Sequence, residues 1–316
     1  MDERGFLESI LTPQALSPQI LIGRGDDAAV VRYGDRSVVF TTDSFIEGRH
    51  FDFRYFSPQE VGAKAVEAAA SDIVAMGARP QYVLWSLVLG GSRPETDLEF
   101  YRALAQGVEG ACGRISASLI GGNLAKGLGT LELTMTVIGE LQGKRAPCLR
   151  SGARAGDLVC VTGQLGASSA GLRAYQKGVA GFDESKRLHR TPRCRLDVVD
   201  KIGAHATSMI DVTDGLSSEL HYLSAESKVR IEVDEARFPI HPEAKRFAAE
   251  QNFSPLELIY AGGEDYELLF TLPEEKARLV PATIIGRILA GEGVFAKDIG
   301  GGVRAVERSG YDHLMS

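Results

Sequence analysis

The chain has 316 residues, enough for one large or two ordinary domains, and its 44% hydrophobic and 24% charged residues exclude wholesale disorder. Lys and Arg number 35 against 42 Asp and Glu; the net charge of −7 argues against a nucleic-acid partner bound through a broad basic face. Glycine is the outlier, 36 residues where a share of roughly 7% is ordinary, which implies many sharp turns or close backbone approaches of the kind phosphate-handling sites use.

Cys112, Cys148, Cys160 and Cys194 form no C-x-x-C pair, so neither a zinc ribbon nor a dithiol redox motif is present. The N-terminus is acidic and helical in pattern, without the basic start and apolar core of a signal peptide. The longest apolar stretch, 82–89, is too short to span a membrane. The expectation is a cytoplasmic protein with no membrane partner.

In chain order, the pattern predicts a helix over 3–11, stopped by Thr12-Pro13, and a turn rich in Gly and Asp over 23–27. Strands follow at 29–32 and 37–42. Ser57-Pro58 is an N-cap with proline at N1, and the alanine-rich run behind it is a helix closing at Gly77. A β-like run at 82–89 precedes a helix over 95–110 and strands at 116–120 and 130–138. The stretch 139–156 is polar, glycine-bearing and without periodicity, and divides the chain into domains at 1–142 and 143–316. The second half opens with a strand at 158–162, a glycine turn at 163–166 and a helix at 167–177. A basic loop with Lys186, Arg187, Arg190 and Arg193 comes next, then a strand at 208–212 and a helix to 226. A strand at 229–233, helical material to 261, a strand at 266–271 and a mixed tail complete the chain. Alternating strands and helices in both halves indicate α/β or α+β architecture.

No P-loop, protein-kinase motif set, post-strand G-x-G-x-x-G, G-x-S-x-G elbow or H-E-x-x-H pair occurs. Aspartates in small or apolar settings stand out instead. Asp26 and Asp27 follow the glycine turn, Asp43 ends one strand, Asp211 ends another, and Asp214 comes soon after. Each alone reads as a turn former or helix cap, Asp214-Gly215 most readily. Asp72 differs. Val61, Ala65, Ala68, Asp72 and Met76 recur at helical spacing, which puts its carboxylate on an apolar stripe where an unpaired charge is costly. A cation is the usual partner there, and acidic residues without His or Cys companions suit Mg²⁺ and phosphate. Gly121-Gly122-Asn123, at a strand end, either offers backbone N–H groups to a phosphate or is a plain turn. Arg150 at the boundary either grips a phosphate or faces solvent.

GDDAAV at 25–30, TTDSFIEGRHF at 41–51, SDIVAMGARP at 71–80, GGN at 121–123 and RSGARAGD at 150–157 occur in that order. VTGQLGASSAGL at 161–172, IDVTDGL at 210–216, GGEDYELLFT at 262–271 and a terminal GYDHL follow. Together these segments, spanning nearly the whole chain, resemble the thiamine-monophosphate kinase family. That family shares a superfamily with aminoimidazole ribonucleotide synthetase, selenophosphate synthetase and a hydrogenase maturation factor.

The resemblance implies a two-domain α/β fold that dimerises through its N-terminal sheet. It implies ATP and several Mg²⁺ ions in a cleft between the domains, and thiamine monophosphate as the acceptor. Carried over motif by motif, Asp27, Thr41, Thr42, Asp43, Asp72, Asp211 and Asp214 fall on Mg²⁺-binding positions. Asn123 does too, although the family commonly has Asp there, and Ala69 stands where it commonly has Asn. Gly122, Asn123, Arg150 and Thr213 fall on ATP-contacting positions, and His50 and Glu264 on positions that contact thiamine phosphate. Tyr311 is the aromatic expected over the thiamine. The implied reaction is in-line transfer of the γ-phosphoryl group with no protein general base. A related enzyme with another acceptor, or a non-catalytic nucleotide binder, are the alternatives.

Overall fold

The computed structural model describes residues 3–12, 17–90, 94–143, 145–298, 300–312 and 314. The N-terminal half holds α1 (Glu3–Ile10), β1 (Ile20–Ile22), β2 (Ala29–Tyr33), β3 (Arg36–Ile46), α2 (Pro58–Ala75) and β4 (Arg79–Leu89). It continues with α3 (Leu98–Arg114), β5 (Ser118–Lys126) and β6 (Glu132–Glu140). Its strands lie in the order β1-β2-β3-β6-β4-β5, antiparallel except for β4–β5. Along β6, Leu133, Met135 and Val137 enter the core while Thr134 and Thr136 face the other way, the alternation of a sheet packed on one side.

Helix α2 starts on a capping box: the Ser57 hydroxyl accepts from the Glu60 amide at 3.2 Å and the Glu60 carboxylate accepts from the Ser57 amide at 2.8 Å. Its alanines leave room for neighbours on every side, and Ala65, Ala68, Ala69, Ala70, Ile73 and Val74 are at most 2% exposed. The crossing with α3 is glycine on glycine. A Cβ at Gly62 would stand 2.2 Å from the Leu104 carbonyl oxygen, and one at Gly107 2.0 Å from that of Gln59.

The C-terminal half contains β7 (Leu158–Val161), α4 (Ala167–Gln176), α5 (Asp183–Arg190), α6 (Val199–Gly203), β8 (Ser208–Asp211), α7 (Leu216–Ser227) and β9 (Arg230–Asp234). Then come α8 (Pro242–Glu250), α9 (Leu256–Tyr260), β10 (Leu268–Leu272), β11 (Thr283–Leu289), β12 (Gly293–Lys297) and β13 (Val303–Ala305). The sheet order is β13-β12-β9-β11-β7-β10-β8, with only β12–β9 parallel. Val159, Val161, Ile210 and Leu269 pack with Leu216, Leu220 and Leu223 of α7, whereas Leu158, Cys160, Met209, Leu268 and Phe270 join the core around α2. Thus α2 lies between the two sheets, and one core runs through both halves. Among the described residues no helix is long and apolar enough to cross a membrane.

Three local expectations are corrected. Strand β3 continues to Ile46 because residues 43–46 pair with β6, so Asp43 lies within a strand rather than at its end. Strand β5 runs through Gly121, Gly122 and Asn123, which pair with β4 instead of turning away. Lys186, Arg187 and Arg190 sit on helix α5, not in a loop; its buried Ser185 and His189 and the Glu184–Arg187 pair at 2.6 Å stabilise a helix that charge alone disguised.

Candidate active site

Four aspartates from four segments meet where α2 ends. Strand alternation puts Thr41 and Asp43 on one face of β3, the last turn of α2 carries Asp72, β8 ends in Asp211, and Asp27 precedes β2. The Thr41 hydroxyl donates to Asp72 Oδ2 at 2.5 Å. Arg150 grips Asp27 Oδ1 through Nη2 at 2.6 Å and Nε at 2.9 Å, and its guanidinium lies 4.8 Å from the centre of the Tyr222 ring. The Arg150 amide donates to Asp26 at 3.2 Å.

Three of these carboxyls, Asp27, Asp72 and Asp211, hold protons more tightly than usual. Burial foremost, then the charges of Asp43, Asp211 and Asp27, pushes Asp72 well above the usual carboxylate range. Burial raises Asp211 to about 6 with Asp43 adding to it and Arg150 opposing. Burial likewise raises Asp27 to about 8, against the pull of Arg150 and with the help of Asp211 and Asp26. The buried Oδ2 atoms of Asp27 and Asp211 have no hydrogen-bond partner. Among the described residues no group of three or more acidic, His or Cys side chains is arranged to hold an ion by itself. An incomplete, all-oxygen, over-acidic set is what Mg²⁺ accepts when water or phosphate oxygens fill its remaining positions, so the residues present fit that ion.

Not every expected residue joins this cluster. The alternation that brings in Thr41 turns Thr42 to the opposite face, where its hydroxyl meets that of Thr136 at 3.2 Å. Gly122 lies on β5 where a Cβ would stand 1.7 Å from the Trp85 carbonyl oxygen, so only glycine fits. Asn123 is exposed on the same strand. Asp214 does not cap α7. Buried Glu219, from the first turn of α7, instead reaches back to the segment before the helix, accepting from the amides of Thr213 at 3.1 Å and Asp214 at 2.8 Å. Burial, then the charge of Asp214, raises Glu219 well above its ordinary value.

A second group of residues surrounds Glu264. Its amide donates to the Thr213 carbonyl at 2.8 Å, and the Tyr311 amide donates to the Asp214 carbonyl at 2.9 Å, so residues 213, 214, 264 and 311 are tied together through backbone. Glu264 Oε1 lies 2.6 Å from Lys64 Nζ, and Oε2 lies 3.2 Å from His189 Nδ1. Burial works to raise the Glu264 carboxyl, but the Lys64 charge and the His189 bond bring it down to about 2. Lys64 also donates to the His50 carbonyl at 3.0 Å, and His50 Nδ1 accepts from the Ile46 amide at 3.0 Å. His50 and Glu264, distant in the chain, therefore share one neighbour.

Lys64, His189 and Glu219 are absent from the sequence reading. Lys64 had a signal: it is the one Lys in an alanine-rich helix that has no polar face to give it. His189 and Glu219 sit among other charged or polar residues and had none.

Residues 25–141 match the AIR synthase related protein N-terminal domain, and residues 154–300 match the C-terminal domain of the same group. The two-sheet fold is that of an AIR synthase related protein. The chain is 35% identical to the thiamine-monophosphate kinase of Aquifex aeolicus over 92% of both chains. It is 38% identical to that of Mycobacterium tuberculosis, over 92% of this chain and 86% of the relative. The structure of AaThiL complexed with AMPPCP and TMP is similar at a TM-score of 0.87 and 32% identity, covering 99% of this chain and 97% of that one. The chain belongs to the thiamine-monophosphate kinase family.

Proposed function

We infer that the protein transfers the γ-phosphoryl group of ATP to thiamine monophosphate, giving thiamine diphosphate and ADP. The observation that carries this reading is the likeness, over nearly the whole chain, to AaThiL complexed with AMPPCP and TMP. We assign Mg²⁺ to Asp27, Thr41, Asp43, Asp72, Asp211 and Asp214, with Asn123 at the margin; the Thr42 hydroxyl, on the other face of β3, is left out of that set. The orphaned oxygens of Asp27 and Asp211 support the assignment. When bound, Mg²⁺ supplies the positive charge that lets two phosphate esters approach. Gly122, Asn123, Arg150 and Thr213 are assigned to ATP, and His50, Glu264 and Tyr311 to thiamine monophosphate. Arg150 holds Asp27 at 2.6 Å, and its planar fork suits a phosphate as well as a carboxylate, so a nucleotide can compete for it. No protein base is needed, since the accepting phosphate is already ionised near neutral pH.

We also propose a division near residue 142 and a homodimer through the N-terminal sheet, in the cytoplasm. Edge strand β5 supports the dimer: Ile120 is 53% and Leu124 65% exposed, beside Tyr82 at 48%. The test of the activity is ADP formation with Mg²⁺ and ATP, with thiamine monophosphate, thiamine and an aminoimidazole ribonucleotide precursor offered in turn. Turnover with thiamine monophosphate alone is expected. Turnover with another acceptor instead, or nucleotide binding with no turnover, contradicts the reading.

A further inference from the structure

We propose that Lys64 is a positioning residue whose single ammonium group sets both halves of the thiamine-monophosphate subsite, an inference that rests on the substrate assignments of His50 and Glu264 above. Lys64 is 1% exposed, and an ammonium buried so fully is costly unless charge and hydrogen bonds compensate it. Its partners are specific. Nζ donates to the His50 carbonyl at 3.0 Å, lies 2.6 Å from Glu264 Oε1 and stands 5.2 Å from the centre of the Phe56 ring. The segment around His50 belongs to the N-terminal half and Glu264 to the C-terminal half, so one side chain of α2 fixes their separation.

The Glu264 backbone needs such an anchor. Glu264 has φ +62° and Tyr266 has φ +52°, in the left-handed region that side-chain-bearing residues seldom occupy unless their surroundings impose it. Lys64 on one carboxylate oxygen and His189 Nδ1 on the other hold the side chain from two directions, and Ser168 Oγ lies 3.1 Å from the same Nδ1. The Glu264 side chain stays 25% exposed, and an ionised carboxylate has acceptor sites beyond the two in use, so a donor on the substrate can still reach it. A tie serving packing alone would not need an ammonium aimed at two segments that each carry a substrate residue.

The test is steady-state kinetics of Lys64→Met, which keeps length and burial but removes the charge. The KM for thiamine monophosphate should rise at least about tenfold while the KM for ATP moves less than about twofold. In Lys64→Met/Glu264→Gln the rise should fall short of the product of the two single effects, because both act through the same carboxylate. If Lys64→Met does not fold, Lys64→Gln retains an uncharged NH₂ donor group and should raise the same constant by a smaller factor. An unchanged KM for thiamine monophosphate in the folded variant, or an equal rise for ATP, overturns the inference. If Glu264→Gln raises that KM and the Lys64 variants do not, the inference fails alone. If Glu264→Gln is also silent, the substrate assignment fails with it.

Discussion

Two sets of buried carboxylates act on Tyr266, and they sit in opposite electrostatic states. Around Glu264, two cationic or hydrogen-bonding partners, Lys64 and His189, serve one carboxylate and bring it to about 2. Around Asp72, the guanidinium of Arg150 grips Asp27 alone, and Asp27, Asp72 and Asp211 are all raised. Burial is the leading influence in both places and works in the same direction. What differs is whether the fold supplies the counter-charge. One set has its counter-charge within the fold; the other lacks it, and the Mg²⁺ ions proposed above are what would supply it.

Removing a carboxylate from the incomplete set should have the largest effect. Asp43→Asn or Asp72→Asn is expected to lower turnover by about a hundredfold or more, because metal neutralisation carries phosphoryl transfer. The same Asp72→Asn change should raise the melting temperature of the metal-free protein, since it relieves like-charge repulsion at a buried site. Full activity in Asp72→Asn would break the comparison.

The pH dependence of stability sharpens it next. Carboxyls raised in the folded state bind more protons there than in the unfolded chain, so stability falls as pH rises from the ordinary carboxylate range through about 6 for Asp211 and about 8 for Asp27. Glu264 has the reverse sign: its contribution is present above its unfolded value of 4.5 and is lost as pH falls toward about 2. The metal-free protein should therefore melt at lower temperature at pH 8 than at pH 5.5, and Mg²⁺ with a non-hydrolysable ATP analogue should flatten that slope. A melting temperature that climbs between pH 5.5 and 8 without metal would contradict the assigned states.

Smaller effects come from the margins of the cluster. Arg150→Lys keeps the charge but loses the planar fork, and nucleotide affinity by calorimetry should drop several-fold. Asn123→Asp adds a carboxylate at an exposed strand position and should stay active, lowering the Mg²⁺ needed for half-maximal rate by about twofold. Inactivity at every Mg²⁺ level would show that the amide of Asn123 has a role of its own.

The sequence made some of this visible and hid the rest for physical reasons. Asp72 was legible because its helical spacing set a charge among apolar positions, although α2 is buried nearly all round rather than along one stripe and Asp72 is only partly covered. The start of α2 was legible because Ser57 and Pro58 are local signals, while the Glu60 side of the capping box emerged only in the structure. The full length of β3 was not, since residues 43–46 are held in the strand by pairing with β6, far along the chain. The glycines of β5 looked like a turn because nothing local reveals the Trp85 carbonyl that demands them. Lys64 and Glu264 became partners only when α2 was laid between two sheets, a tertiary arrangement that no local spacing encodes. The roles of individual site residues came from the resemblance and not from periodicity.

The most direct test of the contrast is Mn²⁺ binding, counted by electron paramagnetic resonance with the non-hydrolysable ATP analogue present, in the unaltered protein, Asp72→Asn and Glu264→Gln. On this contrast, Asp72→Asn should bind fewer ions or bind them more weakly, whereas Glu264→Gln should retain the full complement. Equal binding in all three proteins, or loss in Glu264→Gln with retention in Asp72→Asn, would contradict it.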